Sequence, residues 1–333
     1  MVKPMRILHV LANGEMGWSG GIRPTLRSLS ESPLASHYHF ALACSNELQM
    51  RMQELNPDLL VWHGACSWRE LPRLHAHRRR RQILFEHHYC KGFEQHNVPS
   101  QLRFRTMLRL SYAAMDRVAA VSMAQRQWMT EARLVEPSRA CVLRSARPVD
   151  LFLTVPAPPL TQNRPFTFLA YGRFTPQKGF DTLLRAIRLL SATNMKLLLA
   201  GDGPEAEPLK AQADDDPRIE WLGPRRDIPA LMDRADAVVI PSRWEPWGNV
   251  CLEARAAGRP VVVSGADGLP EQVQGCGVVT QGDAPSDLAG SLESILTATP
   301  VQRQAWSIAG RLSAQGAWRE YLDGWSRLLD SVG

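Results

Sequence analysis

Short apolar runs alternate with longer amphipathic stretches in the first half of the chain. This alternation is typical of β-α units that assemble into a parallel sheet. The apolar runs predict six strands, at residues 6–11, 39–43, 59–62, 82–85, 117–120 and 140–143. The amphipathic stretches predict helices between them, most clearly at residues 25–30 and 100–114.

A proline-rich segment, VPAPPL at residues 155–160, interrupts this pattern and predicts a linker, because it supports neither a helix nor a central strand. The alternation then restarts. Five strands are predicted at residues 166–171, 195–200, 218–222, 237–241 and 260–264, with helices at 179–191, at 248–257 and from 301 to the end. We therefore predict an α/β protein with two Rossmann-like, doubly wound domains, 1–154 and 165–310, joined by a linker at 155–164. Folds of this type bind ligands at the carboxyl ends of their strands, here in a cleft between the domains.

The composition agrees with two globular cores. The chain has 333 residues, 44% of them hydrophobic and 22% charged, and no apolar stretch approaches the roughly 20 residues that span a bilayer. The first apolar run is too short for a secretory signal and predicts a buried strand. The six cysteines lie far apart without a Cys-x-x-Cys pair, which predicts reduced, mostly buried thiols in a cytoplasmic protein.

Charge is distributed unevenly between the two halves. Residues 1–160 contain 21 Lys and Arg against 12 Asp and Glu, whereas residues 161–333 contain 18 against 21. The densest basic segment, residues 73–81, includes four consecutive arginines. It could bind anionic lipid or phosphate, or it could simply be a solvated loop or helix end. Nucleic acid is disfavoured, because no aromatic residues interleave with the basic ones.

Two glutamates flank a predicted helix start near Gly248. Glu245 lies in the preceding loop, and Glu253 lies one to two turns inside the helix. The first amides of a helix can hold an anion, and carboxylates beside them can hydrogen-bond sugar or ribose hydroxyls. Two acidic residues beside a helix start are common, so the interpretation depends on the surrounding sequence, PSRWEPWGNVCLEA followed by AAGRPVV.

A second loop, YGRFTPQKGF at residues 171–180, joins a predicted strand to a predicted helix. Gly172 permits close approach of the backbone, and Arg173 and Lys178 place two cations on one loop. Fixed cations stabilise a diphosphate leaving group, which gains negative charge as its bond to a sugar breaks. The alternative is an ordinary basic surface loop.

Both segments resemble the family-4 retaining glycosyltransferases (glycosyl transferases group 1), which have the GT-B fold. Residues 245–253 match the family's Glu-x7-Glu signature, and residues 172–179 match its Gly-Arg…Lys-Gly loop. Three further segments follow the family's order: GDG at 201–203, WLG at 221–223 and GLPE at 268–271. The resemblance covers about residues 165–295.

This resemblance implies a site for a nucleotide-sugar. Arg173 and Lys178 would hold the diphosphate, Glu245 would orient sugar hydroxyls, and Glu253 would bind the ribose. Donor-binding roles are also implied for Gly172, Gly201, Asp202, Leu222, Trp247, Gly248, Asn249 and Val250. The turn at Asp202 is almost as consistent with a plain structural turn.

The first half resembles the family more loosely. Gly20 and Gly21 match a Gly-Gly pair that lies near the donor, and a histidine after the fourth strand contacts the transferred sugar in many members. Either His87 or His88 could match that histidine, and strand alternation would turn the two to opposite sides; we favour His87. A packed, structural histidine is the alternative.

The resemblance implies a front-face reaction that retains the anomeric configuration, with no metal or other cofactor, because the two cations would replace Mg²⁺. UDP-sugars are the favoured donors, and a glycan or lipid-linked acceptor is expected, in cell-surface polysaccharide or lipopolysaccharide synthesis. The expected location is the cytoplasm, with possible peripheral contact of the basic first domain with an anionic membrane.

The resemblance also implies that the final helix, residues 311–333, packs back on the first domain, although a helix lying on a membrane surface is the rival interpretation. Two other functions remain open: a nucleotide-sugar epimerase of GT-B architecture, and a non-catalytic binder of nucleotide-sugars or polyanions. A dehydrogenase is disfavoured, because no complete Gly-x-Gly-x-x-Gly with an acidic partner follows a strand.

Overall fold

The computed structural model describes residues 4–13, 21–159 and 164–332. The chain divides into two compact units. Unit 1 comprises Met1–Pro148 with Trp318–Gly333, and unit 2 comprises Val149–Ala317. Each unit contains a six-stranded parallel sheet with helices, where the sequence predicted six strands for the first domain and five for the second.

Unit 1 is built on the strand order β2-β1-β3-β4-β5-β6. Its strands are β1 (Met5–Leu11), β2 (Tyr38–Cys44), β3 (Leu59–Trp62), β4 (Arg81–Glu86), β5 (Arg117–Ala120) and β6 (Ala140–Val142). Its helices up to residue 148 are α1 (Ile22–Ser30), α2 (Leu48–Leu55), α3 (Leu71–Ala76), α4 (Lys91–Asn97), α5 (Gln101–Ala113) and α6 (Met123–Glu131). The central strands are buried on both faces, which explains why they read as continuous apolar runs.

Unit 2 is built on the strand order β12-β11-β10-β7-β8-β9. Its strands are β7 (Phe166–Arg173), β8 (Met195–Asp202), β9 (Ile219–Gly223), β10 (Ala237–Ile240), β11 (Val261–Val263) and β12 (Gly277–Val279). Its helices are α7 (Asp150–Leu153), α8 (Phe180–Leu189), α9 (Ala206–Ala213), α10 (Ile228–Arg234), α11 (Asn249–Ala256), α12 (Pro285–Thr297) and α13 (Pro300–Gln315). Strand β12 was not predicted, because its three residues follow a glycine-rich segment and are too few to show a pattern.

The amphipathic pattern of α8 determines which face of this helix packs on the core of unit 2. Leu183, Leu184 and Ile187 face the core, while Arg185 and Arg188 lie outside. This spacing is that of a helix with one apolar face. The helix consequently covers the sheet and sets the position of the loop that precedes it.

The border between the units falls before the proline-rich segment rather than inside it. Helix α7 belongs to unit 2, where it packs against α10 and α11. Arg311 on α13 donates from Nη1 to the carbonyl of Leu153, at 2.9 Å. These contacts, which no local pattern reveals, attach residues 149–154 to the second core.

The last helix, α14 (Ala317–Asp330), belongs to unit 1 from Trp318 onward. The Trp325 ring packs edge-on against His9 and Phe85, with ring centroids 5.4 and 5.8 Å apart. Trp325 is fully buried, as is expected of an aromatic residue on the apolar face of a packed helix. Helix α14 thus covers one face of the first sheet.

All six cysteines are free thiols, and five of them are buried, in agreement with the sequence prediction. Among the residues that the structure describes, none of the helices is both long and apolar enough to cross a membrane.

Candidate active site

The loop after β7 carries the two predicted cations of unit 2. Arg173 ends the strand and is exposed, and Lys178 lies in a short 3₁₀ turn. Gly179 follows with φ of +65°, and a Cβ there would lie only 2.1 Å from the carbonyl oxygen of Pro241. Glycine is therefore required where this loop touches the end of the neighbouring chain segment.

That contact brings Lys178 to the first of the two predicted glutamates. Lys178 Nζ donates a hydrogen bond to Glu245 Oε2 and forms an ion pair with it. Ser242 Oγ also donates to Glu245 Oε2, at 3.4 Å, and the Glu245 backbone N–H donates to Asp267 Oδ2 at 3.1 Å. Glu245 is buried, and its carboxylate is held by Lys178 and Ser242, while Asp267 fixes its backbone.

Backbone and side-chain bonds join the same two loops below the ion pair. Arg243 N–H donates to the Gln177 carbonyl at 2.8 Å, and Gln177 Nε2 donates to the Trp244 carbonyl at 3.0 Å. Arg243 Nη2 donates to Asp181 Oδ2 at 2.6 Å. Burial raises the pKa of Asp181, but the hydrogen bond and charge of Arg243 outweigh this effect, so the pKa lies below its usual value. The two motifs form one rigid assembly.

The second glutamate lies inside α11. Glu253 is buried, and Tyr171 OH donates to its Oε2 from the strand that precedes the cationic loop. No role was predicted for Tyr171, although it directly precedes Gly172 in the motif. Its hydroxyl supplies a partner for a carboxylate that would otherwise be costly to bury.

The start of α11 lies between the two glutamates. Gly248 caps the helix with φ of +89°, and a Cβ there would come within 3.0 Å of Glu245 Cγ. The N–H groups of Asn249 and Val250 belong to the first turn, where no intrahelical acceptor exists. Trp247 is buried, and its carbonyl accepts a hydrogen bond from Gln272 Nε2 at 2.5 Å, a contact that the sequence did not predict.

The ends of β8 and β9 lie beside the cationic loop. In the parallel register Gly201 is next to Gly172, and Asp202 is next to Arg173. Asp202 Oδ1 accepts from the N–H of Gly203 at 2.7 Å, so its side chain shapes the turn. Leu222 is half-buried on β9, where the register with β8 is irregular. The predicted donor-binding residues of unit 2 other than Glu253, which lies inside α11, thus lie at the carboxyl ends of its strands or at the start of α11.

The predicted pair of glycines belongs to unit 1. Gly21 precedes α1, and its carbonyl accepts from Thr25 Oγ1 at 2.8 Å. Gly20 lies outside the described residues. The structure thus describes only the second glycine of the predicted pair.

His87 and His88 both follow the end of β4, so the expected alternation of a strand does not separate them. His87 Nε2 lies 3.0 Å from Nδ1 of His63, and His88 Nε2 lies 3.0 Å from the carbonyl oxygen of His63. Burial, with a smaller contribution from His88, lowers the pKa of His87 to about 3. The His87 ring is therefore neutral near pH 7. The sequence did not predict a role for His63.

The residues that the structure describes include no group of three or more His, Cys, Asp or Glu side chains arranged to hold a metal ion.

Residues 165–298 match the family model described as Glycosyl transferases group 1, the family that the motifs of this segment resemble. The lipopolysaccharide core biosynthesis glycosyltransferase LpsD of Rhizobium meliloti is 38% identical over 122 residues, which are 34% of this chain and 35% of LpsD. Glycogen synthase of Mycobacterium tuberculosis is 34% identical over 176 residues, 48% of this chain and 42% of the synthase. The match thus spans less than half the length of these curated relatives.

Solved structures match nearly the whole chain. Sucrose-phosphate synthase from Thermosynechococcus elongatus superposes with a TM-score of 0.79 and 18% identity, covering 98% of both chains. Anabaena HepE in complex with UDP and glucose superposes with a TM-score of 0.76 and 20% identity, covering 98% of this chain and all of HepE. At these identities the likeness shows the fold, which is the predicted two-domain GT-B α/β fold.

Proposed function

We propose that the protein is a glycosyltransferase that moves a sugar from a nucleoside-diphosphate sugar to a hydroxyl group of a glycan or lipid-linked acceptor. The observation that carries this proposal is the ion pair of Lys178 with Glu245. It joins the two motifs of the family-matched segment at the carboxyl ends of the strands, where doubly wound sheets bind ligands.

The charges at this place suit a nucleoside diphosphate. Lys178 and Arg173 supply two cations, and the first amides of α11 add donors beside them. An incoming β-phosphate would compete with Glu245 for Lys178. This exchange would release the Glu245 carboxylate to accept hydrogen bonds from sugar hydroxyls.

Glu253 would bind the ribose of the nucleotide, and the hydrogen bond from Tyr171 to its carboxylate supports this role. Because Arg173 and Lys178 would stabilise the charge that develops on the leaving diphosphate, we infer a reaction that needs no metal ion. We also infer that it retains the anomeric configuration by a front-face route, in which the leaving phosphate accepts the proton of the acceptor hydroxyl. His87 would contact the sugar.

UDP-sugars are the donors that we favour. The solved HepE structure, which contains UDP and glucose, supports this choice by its fold, and LpsD supports an acceptor in lipopolysaccharide or another surface polysaccharide. The proposed role is therefore in the assembly of a cell-surface glycan or glycolipid.

A lipid-linked acceptor would bring the protein to a membrane, and we infer peripheral contact through the basic segment 73–81. This segment runs from α3 to the start of β4, and Arg78, Arg79 and Arg81 are exposed. Trp68, 43% exposed, precedes it in the chain. Basic and aromatic side chains together favour an anionic lipid surface.

Sedimentation with anionic liposomes at low salt tests this contact. We expect the wild-type protein to bind and a variant with R78E, R79E and R81E to remain in solution. Equal sedimentation of both proteins, or no binding of either, would contradict the membrane proposal without affecting the donor site.

Donor turnover tests the main proposal. The protein is incubated with UDP-glucose in EDTA, and the products are followed by proton NMR. We expect slow transfer to water, with release of UDP and α-glucose, and we expect this release to be lost in Lys178→Ala. Lys210→Ala is the matched control, because Lys210 is an exposed lysine of unit 2 that pairs with Glu207.

Each other product would identify a different reaction. Initial formation of β-glucose would contradict retention, and release that requires a divalent ion would contradict metal independence. A different sugar formed from UDP-glucose would indicate an epimerase. Binding of UDP without any turnover of the UDP-sugars tried would favour the non-catalytic binder.

A further inference from the structure

Three histidines of unit 1 form a continuous row of hydrogen-bonded rings. His9 Nδ1 lies 2.8 Å from Nε2 of His63, and His63 Nδ1 lies 3.0 Å from Nε2 of His87. The rings stack, with centroids 5.1 and 5.3 Å apart. They come from three neighbouring strands, since His9 lies on β1, His63 follows β3 and His87 follows β4.

The row leads from the core toward the carboxyl edge of the sheet. His9 and His63 are at most 1% exposed, whereas His87 is partly exposed. Burial lowers the pKa of His9 to about 3 and holds that of His63 well below its usual value. All three rings are therefore neutral near pH 7, and each carries one N–H and one bare nitrogen.

Only two arrangements of protons keep both hydrogen bonds. In the first, all three rings are protonated on Nδ1, so that each donates to the next and His87 presents an N–H at its outer nitrogen. In the second, all are protonated on Nε2, and His87 presents a bare nitrogen. The tautomer of His63 therefore sets the tautomers of both neighbours.

The inner end of the row favours the first arrangement. Within the described part of the chain, His9 Nε2 has no hydrogen-bond partner, and neither has Nε1 of Trp325, whose ring lies edge-on to His9. An indole nitrogen is always a donor. In the first arrangement the unpaired atom of His9 is a bare nitrogen, whereas the second arrangement would add a buried, unpaired His9 N–H to the unpaired indole N–H of Trp325.

We propose that His9 and His63 are positioning residues that fix His87 as a hydrogen-bond donor at Nδ1, directed to an oxygen atom of the substrate sugar. The part that concerns the sugar rests on the proposed function; the assignment of the tautomer does not. Within the described residues Nδ1 of His87 has no protein partner, so it is available to a ligand.

This assignment has a consequence for specificity. An N–H donor pairs with a hydroxyl or carboxylate oxygen and repels an ammonium group. The chemical class that fits is thus a sugar with an oxygen substituent at this place, and a sugar carrying a protonated amine there is rejected.

Nitrogen NMR of protein labelled with ¹⁵N-histidine measures the tautomers directly, with His87→Gln to assign the His87 signals. We expect His87 in the Nδ1–H form in the wild-type protein. His63→Phe removes the donor to His87 Nε2, so His87 should revert to the Nε2–H form that predominates for free histidine. His63→Asn keeps a donor near the position of Nδ1 and should restore the wild-type form.

Phe85→Leu is the matched control for packing, because the Phe85 ring touches both His63 and His87 without a hydrogen bond. We expect this variant to leave the His87 tautomer unchanged. An Nε2–H form of His87 in the wild-type protein, or an unchanged tautomer in His63→Phe, would overturn the proposal.

Ligand addition tests the role toward the sugar. In a sample saturated with UDP-glucose the His87 Nδ1 signal should move, and in a sample saturated with UDP it should not. A signal that stays in place with bound UDP-glucose would overturn that role. If the proposed function is wrong, UDP will not bind, and the inferred contact with the sugar is lost with it. The tautomer assignment is tested separately, by the first experiment.

Discussion

The candidate site of unit 2 and the histidine row of unit 1 differ in the groups that they present to a ligand. In unit 2, charged side chains from two loops meet, with Lys178 bound to Glu245 and Arg243 bound to Asp181. In unit 1, hydrogen bonds link the neutral rings of His9, His63 and His87 into a row that begins in the core and ends at His87. The first arrangement suits a charged diphosphate and the second suits a neutral sugar.

The difference follows from the cost of burying charge. A diphosphate offers full charges that compensate the desolvation of Lys178 and Arg173, so fixed ions are useful there. A sugar hydroxyl offers only a dipole, for which a neutral ring of fixed tautomer gives direction without that cost. Four changes test this contrast, from the largest expected effect to the smallest.

The first change removes the central cation. Lys178→Ala should reduce turnover of UDP-glucose by about 10²- to 10³-fold, because the charge that develops on the leaving diphosphate loses its nearest cation. Turnover is measured by release of UDP, with Lys210→Ala as the control. Activity within a few-fold of wild type would contradict the assignment of Lys178.

The second change separates steric contact from backbone strain in unit 2. Gly179 and Gly223 both have positive φ, +65° and +63°. A Cβ added at Gly179 would lie within 4 Å of the Pro241 carbonyl, whereas a Cβ added at Gly223 would meet no atom within 4 Å. Gly223→Ala should cost about 1 kcal/mol of unfolding free energy, from strain alone. Gly179→Ala should cost at least about 3 kcal/mol and abolish binding of UDP.

Urea denaturation of both variants gives these values. Equal costs for the two substitutions would show that the contact between the cationic loop and the Glu245 loop is looser than the structure describes.

The third change concerns pH and unit 1. His9 and His63 stay neutral in the folded protein, whereas in the unfolded chain they gain protons below about pH 6.5. The unfolded state then binds more protons, so stability falls as pH falls from about 6.5 toward the lowered folded pKa of about 3 for His9. Each such histidine contributes up to about 1.4 kcal/mol per pH unit in this window.

Replacing one histidine should reduce that slope. In His9→Phe the unfolding free energy should depend less steeply on pH between about 6 and 4, by the contribution of one proton. Urea denaturation, followed by spectroscopic signals of unit 1 residues, measures this slope. Asp181→Asn, in unit 2, is expected to leave the slope of unit 1 unchanged. An unaltered slope in His9→Phe would mean that His9 is not buried in its neutral form.

The fourth change is the mildest. Tyr171→Phe removes the hydroxyl that donates to Glu253 and should weaken UDP binding by about 1 kcal/mol, roughly fivefold, since Glu253 remains but is less firmly held. Isothermal titration with UDP measures the effect. A larger loss than in Glu253→Ala would contradict the role of Tyr171 as a support for that carboxylate.

Sequence reasoning reached different depths in the two regions. In unit 2 the residues within each motif lie close together in the chain, with charged side chains and glycines at fixed spacings, so Lys178, Glu245 and Glu253 could be named before the structure was known. The contacts of the two glutamates, from Tyr171 to Glu253 and from Glu245 to Asp267, join residues that are distant in the chain and have no spacing rule.

In unit 1 the sequence predicted the strands but not the row. His9, His63 and His87 are separated by 54 and 24 positions, and each alone reads as an ordinary histidine. Their alignment depends on the strand order β1-β3-β4 and on register, which no local pattern fixes. The preference for His87 over His88 stays a prediction, because β4 ends before both residues and strand alternation therefore does not separate them.

The central claim is that Lys178 and its neighbours bind a nucleoside diphosphate. Thermal unfolding in the presence of UDP, GDP, ADP, CDP and NAD in turn, with EDTA, tests it most directly. A ligand at 100 times its dissociation constant adds about 2.7 kcal/mol of stability. We predict that UDP raises the midpoint of the wild-type protein and of Lys210→Ala but not of Lys178→Ala. If no nucleotide raises it, or if Lys178→Ala responds as the wild-type protein does, the assignment of the site is contradicted.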